Sequence, residues 1–250
     1  MAYRAHPDYA LIVAANRDEF FQRPTAAVDY WQDCPEVLAG RDLQQGGTWM
    51  GVNRAGRFAA LTNVREPLAF RGTAKSRGLI VADFLTGDTE PRAHLTQLAK
   101  QRDDYNGFNL VCGSAKHLYA FGTVDGHIAE LPPGVFGLSN HKLDTPWPKV
   151  ESSKRALQNA LAHRPEELES ELFSMLSDTT LADDADLPNT GVGIEKERWL
   201  SPIFIHATGY GTRSSTLLLV DYAGNARFIE RTFNAEGEPD STRRFALKMQ

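Results

Sequence analysis

The sequence predicts a single α+β domain with helices outside stacked antiparallel sheets. Three observations lead there. Strand-like and helix-like segments alternate in blocks, in the order strands, helices, strands, helices, strands. A chain of 250 residues can bury a large core. No internal repeat or low-complexity linker marks a second domain, so residues 1–250 read as one unit.

The elements follow in order. Tyr9–Ala15 is rich in strand formers and reads as a central strand. Residues 22–47 hold Pro24, Pro35, Gly40, Gly46 and Gly47 in an irregular pattern, read as a wandering surface segment with at most short strands. Trp49–Asn53 and Arg57–Asn63 form a hairpin turning at Arg54-Ala55-Gly56. Ser76–Leu85 places Leu79, Ile80, Ala82, Phe84 and Leu85 at helical spacing, with Ser76 as cap and a stop near Gly87. Pro91–Lys100 is a second helix with proline in its first turn. Phe108–Cys112, His117–Thr123 and His127–Leu131 make a meander that Pro132, Pro133 and Gly134 end. Lys149–Ala162 is amphipathic through Val150, Leu157 and Leu161, and Pro165–Leu176 is a further helix. Asp183–Asp186 reads as a solvated loop. Ile203–His206, Ser215–Tyr222 and Ala226–Phe233 are closing strands, the last two joined at Ala223-Gly224-Asn225.

Composition narrows the function classes. Lys plus Arg is 27 against 32 for Asp plus Glu, a formal charge of -5, with no long basic run. That argues against nonspecific nucleic-acid binding, which depends on phosphate neutralisation. The apolar run Ala10–Ala15 is too short for a signal core, and no run nears the roughly 18 to 20 apolar residues that span a bilayer. The expectation is a cytoplasmic protein without stable membrane insertion. Cys34 and Cys112 give no disulfide framework. Cys112 reads as a buried small hydrophobe, and nothing beside Cys34 would lower its pKa. His6, His94, His117, His127, His141, His163 and His206 are scattered and make no metal motif, so neither a metal nor a cofactor is expected. The expected partner is a small-molecule ligand or substrate; the sequence sets no oligomeric state.

Polar residues cluster after the first strand. In Asn16-Arg17-Asp18-Glu19, alternation would send Arg17 and Glu19 one way and Asn16 and Asp18 the other if the strand persists. The cluster reads either as a structural ion-pair network or as an active-site rim. On the second reading Arg17 clamps a carboxylate and Asp18 accepts from a terminal ammonium. Glu19 is expected to act in stability, by pairing with an arginine. Gly46-Gly47-Thr48-Trp49-Met50-Gly51 lacks the phosphate-loop spacing. Trp49 either packs on a tight turn or walls a pocket. Asn63 and Asn140 each end an apolar segment, as turn residues or as amide donors to an oxyanion. Asn109 is a pocket candidate that could instead bond neighbouring backbone. His141 sits beside Asn140, and Asp144–Pro148 reads as a rigid helix-entry loop with Trp147 packed at a candidate pocket edge. Arg213 could close the charge network from a late strand. Ser214 and Ser215 are expected to bond backbone or arginine, since neither sits in a Gly-x-Ser-x-Gly elbow.

Asn16–Glu19 with Arg23-Pro24 resembles the signature of the NRDE family, also called the transport and Golgi organization family. Gly46–Gly51, Ala60–Arg65, Ser76-Arg77-Gly78, Gly107–Leu110, Gly137–Asn140, Leu143–Lys149, Gly211–Thr216 and Glu230–Phe233 match it in order along nearly the whole chain. That family resembles amino-terminal-nucleophile (Ntn) hydrolases, which implies a four-layer αββα sandwich. The resemblance implies a start of Met-Cys and a short apolar strand, the cysteine acting as nucleophile and its own amine as base. This chain opens Met1-Ala2-Tyr3-Arg4, which resembles the continuation after that strand. The expectations are a damaged first sheet beside Tyr9–Ala15 and no amide hydrolysis by the amino-terminal cysteine route from residues 1–250. A weaker resemblance to choloylglycine-hydrolase-like enzymes implies catalytic support from Arg17 and Asp18, oxyanion and amine contacts from Asn63 and Asn140, and a late arginine at Arg213. The implied activity is hydrolysis of linear non-peptide amides. The alternative is non-enzymatic binding or trafficking of haem, lipid or acyl-CoA, although no Cys-x-x-Cys-His selects haem.

Overall fold

The computed structural model describes residues 1–249. Two antiparallel sheets lie face to face with helices on both outer sides, the αββα sandwich of an α+β fold. The first sheet runs β10 (Gly134–Val135), β1 (Ala2–Tyr3), β2 (Tyr9–Phe20), β12 (Tyr210–Asp221), β13 (Asn225–Phe233) and β14 (Pro239–Lys248), with β11 (His206–Ala207) beside β12. The second is a succession of neighbours: β3 (Thr25–Tyr30), β4 (Val37–Asp42), β5 (Met50–Asn53), β6 (Phe58–Asn63), β7 (Phe108–Gly113), β8 (Leu118–Gly122) and β9 (Ile128–Glu130).

Strand alternation builds three cores from this arrangement. Leu11, Val13, Leu218, Val220 and Phe228 meet Leu38, Met50, Val52, Phe58 and Val111 between the sheets. Ile12, Leu217, Leu219 and Ile229 face outward and are covered by α3 (Pro148–Ala160) and α4 (Pro165–Leu176) through Leu157, Leu168, Leu172 and Phe173. Val37, Ala39, Ala59, Leu110 and Cys112 face the other way, beneath α1 (Gly78–Thr86) and α2 (Pro91–Lys100). Cys112 is thus a packed core thiol, and burial pushes its pKa up to about 12.

Several segments differ from expectation. Residues 22–47 are not a surface wander: β4 is buried on both faces at Val37, Leu38 and Ala39, and a register break between Ala26 and Asp29 obscures the alternation of β3. Ser76 does not cap α1; Arg77 holds that position without a side-chain cap bond. The helix start is set instead by a close approach. A Cβ on Gly47 would lie 2.3 Å from the Gly78 carbonyl carbon, and Thr48 N–H donates to Gly78 O at 3.1 Å. The Ile203–His206 strand shrinks to β11, while β14 and the short helix α5 (Ile194–Trp199) are additional. Ala2 and Tyr3 are strand, β1, lying between β10 and β2 and pairing the latter at Ile12 and Leu11. The hairpin at 54–56, the meander, α2 and α4 lie where the sequence placed them.

Candidate active site

β2 does not stop at Ala15. It runs through the polar quartet to Phe20, paired with β12 all the way. Alternation therefore divides the quartet between the two faces of the sheet. Arg17 continues the row of Leu11, Val13 and Ala15 into the inter-sheet space, while Asn16 and Asp18 continue the row of Ile12 toward the helices.

On the inter-sheet face, Arg17 is 9% exposed and its guanidinium lies over the Trp49 ring, 4.2 Å from the centroid. Trp49 is held there by a missing side chain: a Cβ on Gly40 would sit 2.4 Å from its ring. Arg17 Nη1 is buried and has no hydrogen-bond partner. Its cross-strand neighbour Ser214 is 3% exposed, and its Oγ also lacks a hydrogen bond of ordinary geometry, although it leans toward Glu230. Glu230 accepts from Val28 N–H at 2.6 Å, and burial raises its pKa. Burial likewise lowers that of Arg17, against the opposing pull of Glu19.

On the outer face, Asp18 Oδ1 accepts from Thr212 Oγ at 2.7 Å. Enclosure raises the Asp18 pKa, opposed first by the Lys149 charge. Lys149, in the first turn of α3, is half-buried as a side chain, but its amine is enclosed and its pKa falls to about 8. Its one hydrogen bond is long, 3.4 Å to Pro202 O. Arg65 and Glu197 complete the wall, with Nη1 to Oε2 at 2.6 Å and side chains only 10% and 3% exposed. Thr190 gives Glu197 Oε1 two further bonds, at 2.8 Å from N–H and 2.6 Å from Oγ. Tyr210 lies nearby, its phenol pKa raised by burial and by the Asp18 charge.

The structure thus does not bring the five expected catalytic residues together. Arg213 belongs with Arg17, whose charge it opposes. It is the extra residue of a bulge between Thr212 and Ser214, and its Nη1 donates to the carbonyls of Phe20, Phe21 and Arg23 at 3.0, 3.3 and 3.2 Å. Asn140 reaches the Asp18 side through Arg65, accepting from its Nη2 at 3.3 Å and donating Nδ2 to Asn63 O at 3.0 Å. Asn63 contributes that carbonyl, and its side chain is exposed on the far face from Thr62.

The expected pocket residues scatter similarly. Asn16 spends its amide on Leu176 O and Ile203 O at 2.8 and 2.9 Å and accepts from Ser215 Oγ at 2.6 Å. Ser215 therefore bonds an asparagine rather than backbone or arginine. Glu19 pairs with Arg23 at 3.6 Å, and Arg23 also grips Asp42 at 2.6 Å. Asn109 joins the meander to the 137–145 loop through Thr62 Oγ and His141 O, at 3.1 and 2.7 Å. His141 stacks on Trp147 and bonds Thr145 Oγ at 3.0 Å. Arg65, Lys149, Glu197, Tyr210 and Thr212 were not singled out from the sequence. Their only advance signal is that Arg65, Lys149 and Thr212 fall inside matched blocks. Among the described residues, no three His, Cys, Asp or Glu side chains gather as a metal ion would require.

The family described as "Transport and Golgi organisation 2" matches residues 1–235. The chain belongs to that family. The Transport and Golgi organization protein 2 homolog of Bos taurus is 37% identical over 240 residues, covering 90% of this chain and 87% of its own. Transport and Golgi organization protein 2 of Drosophila melanogaster is 30% identical over 249 residues, covering 90% and 86%. Among solved structures, a mutant conjugated bile acid hydrolase from Clostridium perfringens is similar at a TM-score of 0.42 and 8% identity, covering 98% of this chain and 87% of that one. No helix of the described residues is long and apolar enough to cross a membrane.

Proposed function

We propose that the chain is built as a hydrolase of linear, non-peptide C–N amides that is inactive as residues 1–250 and acts only with a cysteine nucleophile at the head of the strand beside β2. Arg17 is the observation that carries this reading. Its buried Nη1 points at no acceptor, next to an edge of β2 that β1 covers only at Leu11 and Ile12. The pairing is antiparallel, so backbone continuing upstream of Ala2 would run along Ala14–Asp18. Cross-strand partners share a face. A cysteine opposite Arg17 would therefore look into the inter-sheet space, where the guanidinium favours a thiolate. The sulfur would attack the amide carbonyl, the C–N bond would break as the amine leaves with a proton, and water would hydrolyse the thioester. Asp18 would accept from the terminal amine. Arg213 would hold the β2–β3 turn that frames Arg17. Asn63 and Asn140 would serve the oxyanion only after rearranging, since Asn140 already holds Asn63 O.

That last point favours a second reading, a carrier of haem, lipid or acyl-CoA that binds without turnover. Oxyanion donors are useful when preorganised, and these two are engaged or exposed. One assay separates the readings. Residues 1–250 and a version extended upstream to place cysteine at the head of the first strand are screened against N-acyl amides, acyl-CoA and haem, with intact-mass detection of an acyl adduct. Turnover and adduct in the extended version alone are expected. Equal turnover by both defeats the nucleophile argument, and binding without turnover in both favours the carrier. We also infer a cytoplasmic location, supported by the free thiols Cys34 and Cys112 and tested by cell fractionation.

A further inference from the structure

The helix layer does not cover the whole outer face of the first sheet. Leu157, Leu168, Leu172 and Phe173 of α3 and α4 close over Ile12, Leu217, Leu219 and Ile229. On the same face β14 presents Thr242, Arg244 and Ala246, opposite Arg231, Ile229 and Arg227, and all three are exposed. Where the cover ends, a groove of about 590 Å³ lies between α4 and β13, lined by both Arg227 and Arg231. The Cα atoms of these two arginines stand about 13 Å apart on an extended strand. Their side chains nevertheless go to neighbouring turns of α4. Arg227 pairs with Glu169, and the Arg231 guanidinium stacks on Phe173, 4.3 Å from the ring centroid. Four residues of helix rise only about 6 Å. The two guanidiniums therefore converge on the groove.

The charges there do not balance. One carboxylate serves two arginines, Glu169 accepting from Arg227 through Oε2 and from Arg244 through Oε1, the latter at 2.6 Å. Arg231 makes no hydrogen bond or ion pair with any described residue, so Phe173 holds the face of its guanidinium and leaves all five N–H donors open. Ser170 and Ser177 donate to Glu167 O and Phe173 O, at 2.7 and 2.8 Å, whereas Ser174 Oγ also lines the groove and bonds no described residue. Glu166 is a lining residue too, but it stands two helical turns from Phe173, at the other end. Converging guanidiniums beside a free hydroxyl suit an oxyanion. A carboxylate would be satisfied by the Arg231 fork alone. A phosphate monoester carries close to two charges and three acceptor oxygens, enough for Arg231, the remaining Arg227 donors and Ser174 together. We propose that the groove between α4 and β13 binds a phosphate monoester, with Arg231 as its main contact, Arg227 and Ser174 closing on the other oxygens, and Glu169 holding Arg227 in place. The groove shares no residue with the surroundings of Arg17 or Asp18, so it goes beyond the amide reading and needs no nucleophile.

Glycerol 3-phosphate and acetate are titrated, at equal ionic strength, against residues 1–250, and the arginine Nε–H signals are followed by NMR. The Arg231 signal should shift saturably, and the phosphate ester should bind about tenfold tighter than acetate, the scale of one further hydrogen bond to a charged group. Arg231→Met should abolish binding, Arg231→Lys should keep part of it without the bidentate fork, and Ser174→Ala should weaken it severalfold. No saturable shift overturns the site, as does equal binding of acetate and the ester, or unchanged ester binding by folded Arg231→Met. The comparison of the two probes on the unsubstituted chain decides the matter even if a variant does not fold. A free ester and a lipid headgroup present the same group, and flotation with phosphatidylcholine vesicles, with and without phosphatidic acid, separates the sources. Flotation that requires phosphatidic acid and is abolished by Arg231→Met assigns the site to a headgroup; ester binding without flotation assigns it to a free ester.

Discussion

Arg17 and Asp18 are neighbours in sequence but occupy different chemical worlds. Arg17 is sealed between the sheets, stacked on Trp49, with a guanidinium nitrogen that nothing satisfies. Asp18 lies on the other face, with a hydroxyl partner in Thr212 and the charge of Lys149 nearby. One pleat of β2 makes the whole difference. The inter-sheet side sets the Arg17 guanidinium, one nitrogen of which is unpaired, within reach of the charges of Glu19 and the buried Glu230. The helix side balances Lys149 and Arg65 against Asp18 and Glu197 and is suited to polar recognition. Polar residues that cluster in sequence need not form one site when they lie within a strand.

The largest expected effect tests how firmly the helix-side wall is built. Arg65→Met would leave Glu197, whose side chain is 3% exposed, as an uncompensated buried charge. Unfolding in urea should show a loss of about 3 kcal/mol. A loss under about 1 kcal/mol would mean that the surroundings of Glu197 relax and that the pair is not rigidly held. The inter-sheet side breaks by overfilling instead. Gly40→Ala pushes a methyl into the Trp49 ring and should cost about 2 kcal/mol. Adding Trp49→Leu should recover part of it, and no recovery would show that Trp49 is not what the glycine accommodates.

A smaller effect comes from titration. The Lys149 pKa falls from 10.5 to about 8 on folding, because enclosure disfavours the ammonium. Between those values the unfolded chain holds a proton that the folded chain has released, so stability contributed by this group rises with pH across the window. The stability gap between the unsubstituted chain and Lys149→Met should therefore shift in favour of the unsubstituted chain by more than about 1 kcal/mol from pH 8 to 10.5. A flat difference would place the Lys149 ammonium in solvent in the folded chain.

Much of this was legible in the sequence, but unevenly. Tyr9–Ala15 announces a central strand, and alternation within Asn16–Glu19 separates Arg17 from Asp18 once the strand is continued to Phe20. The composite site came from family resemblance, and the pleat of β2 argues against it. Arg65 and Glu197 could not be paired beforehand, because 132 positions separate them and only the fold joins them. β14 was hidden for the opposite reason: Asp240-Ser241-Thr242-Arg243-Arg244 is exposed, so no apolar alternation marks it. β4 was hidden by burial on both faces, which leaves a short apolar run without a period.

The smallest predicted effect gives the sharpest version of the two-face contrast, because it compares adjacent serines on one strand. Ser214 and Ser215 pair with Arg17 and Asn16 respectively, and both are almost fully buried. Ser215 Oγ donates to Asn16 Oδ1 at 2.6 Å, whereas Ser214 Oγ makes no hydrogen bond of ordinary geometry. Removing Ser215 Oγ takes one bond from an asparagine whose amide ties α4 and the 203 segment to β2. Ser215→Ala should therefore cost about 1 kcal/mol in urea unfolding. Ser214→Ala removes an oxygen that only leans toward Glu230, and should stay within about 0.5 kcal/mol of the unsubstituted chain. If the order is reversed, Ser214 is tied to Arg17 or Glu230 in solution, and the unpaired guanidinium on which the inter-sheet argument rests is not free.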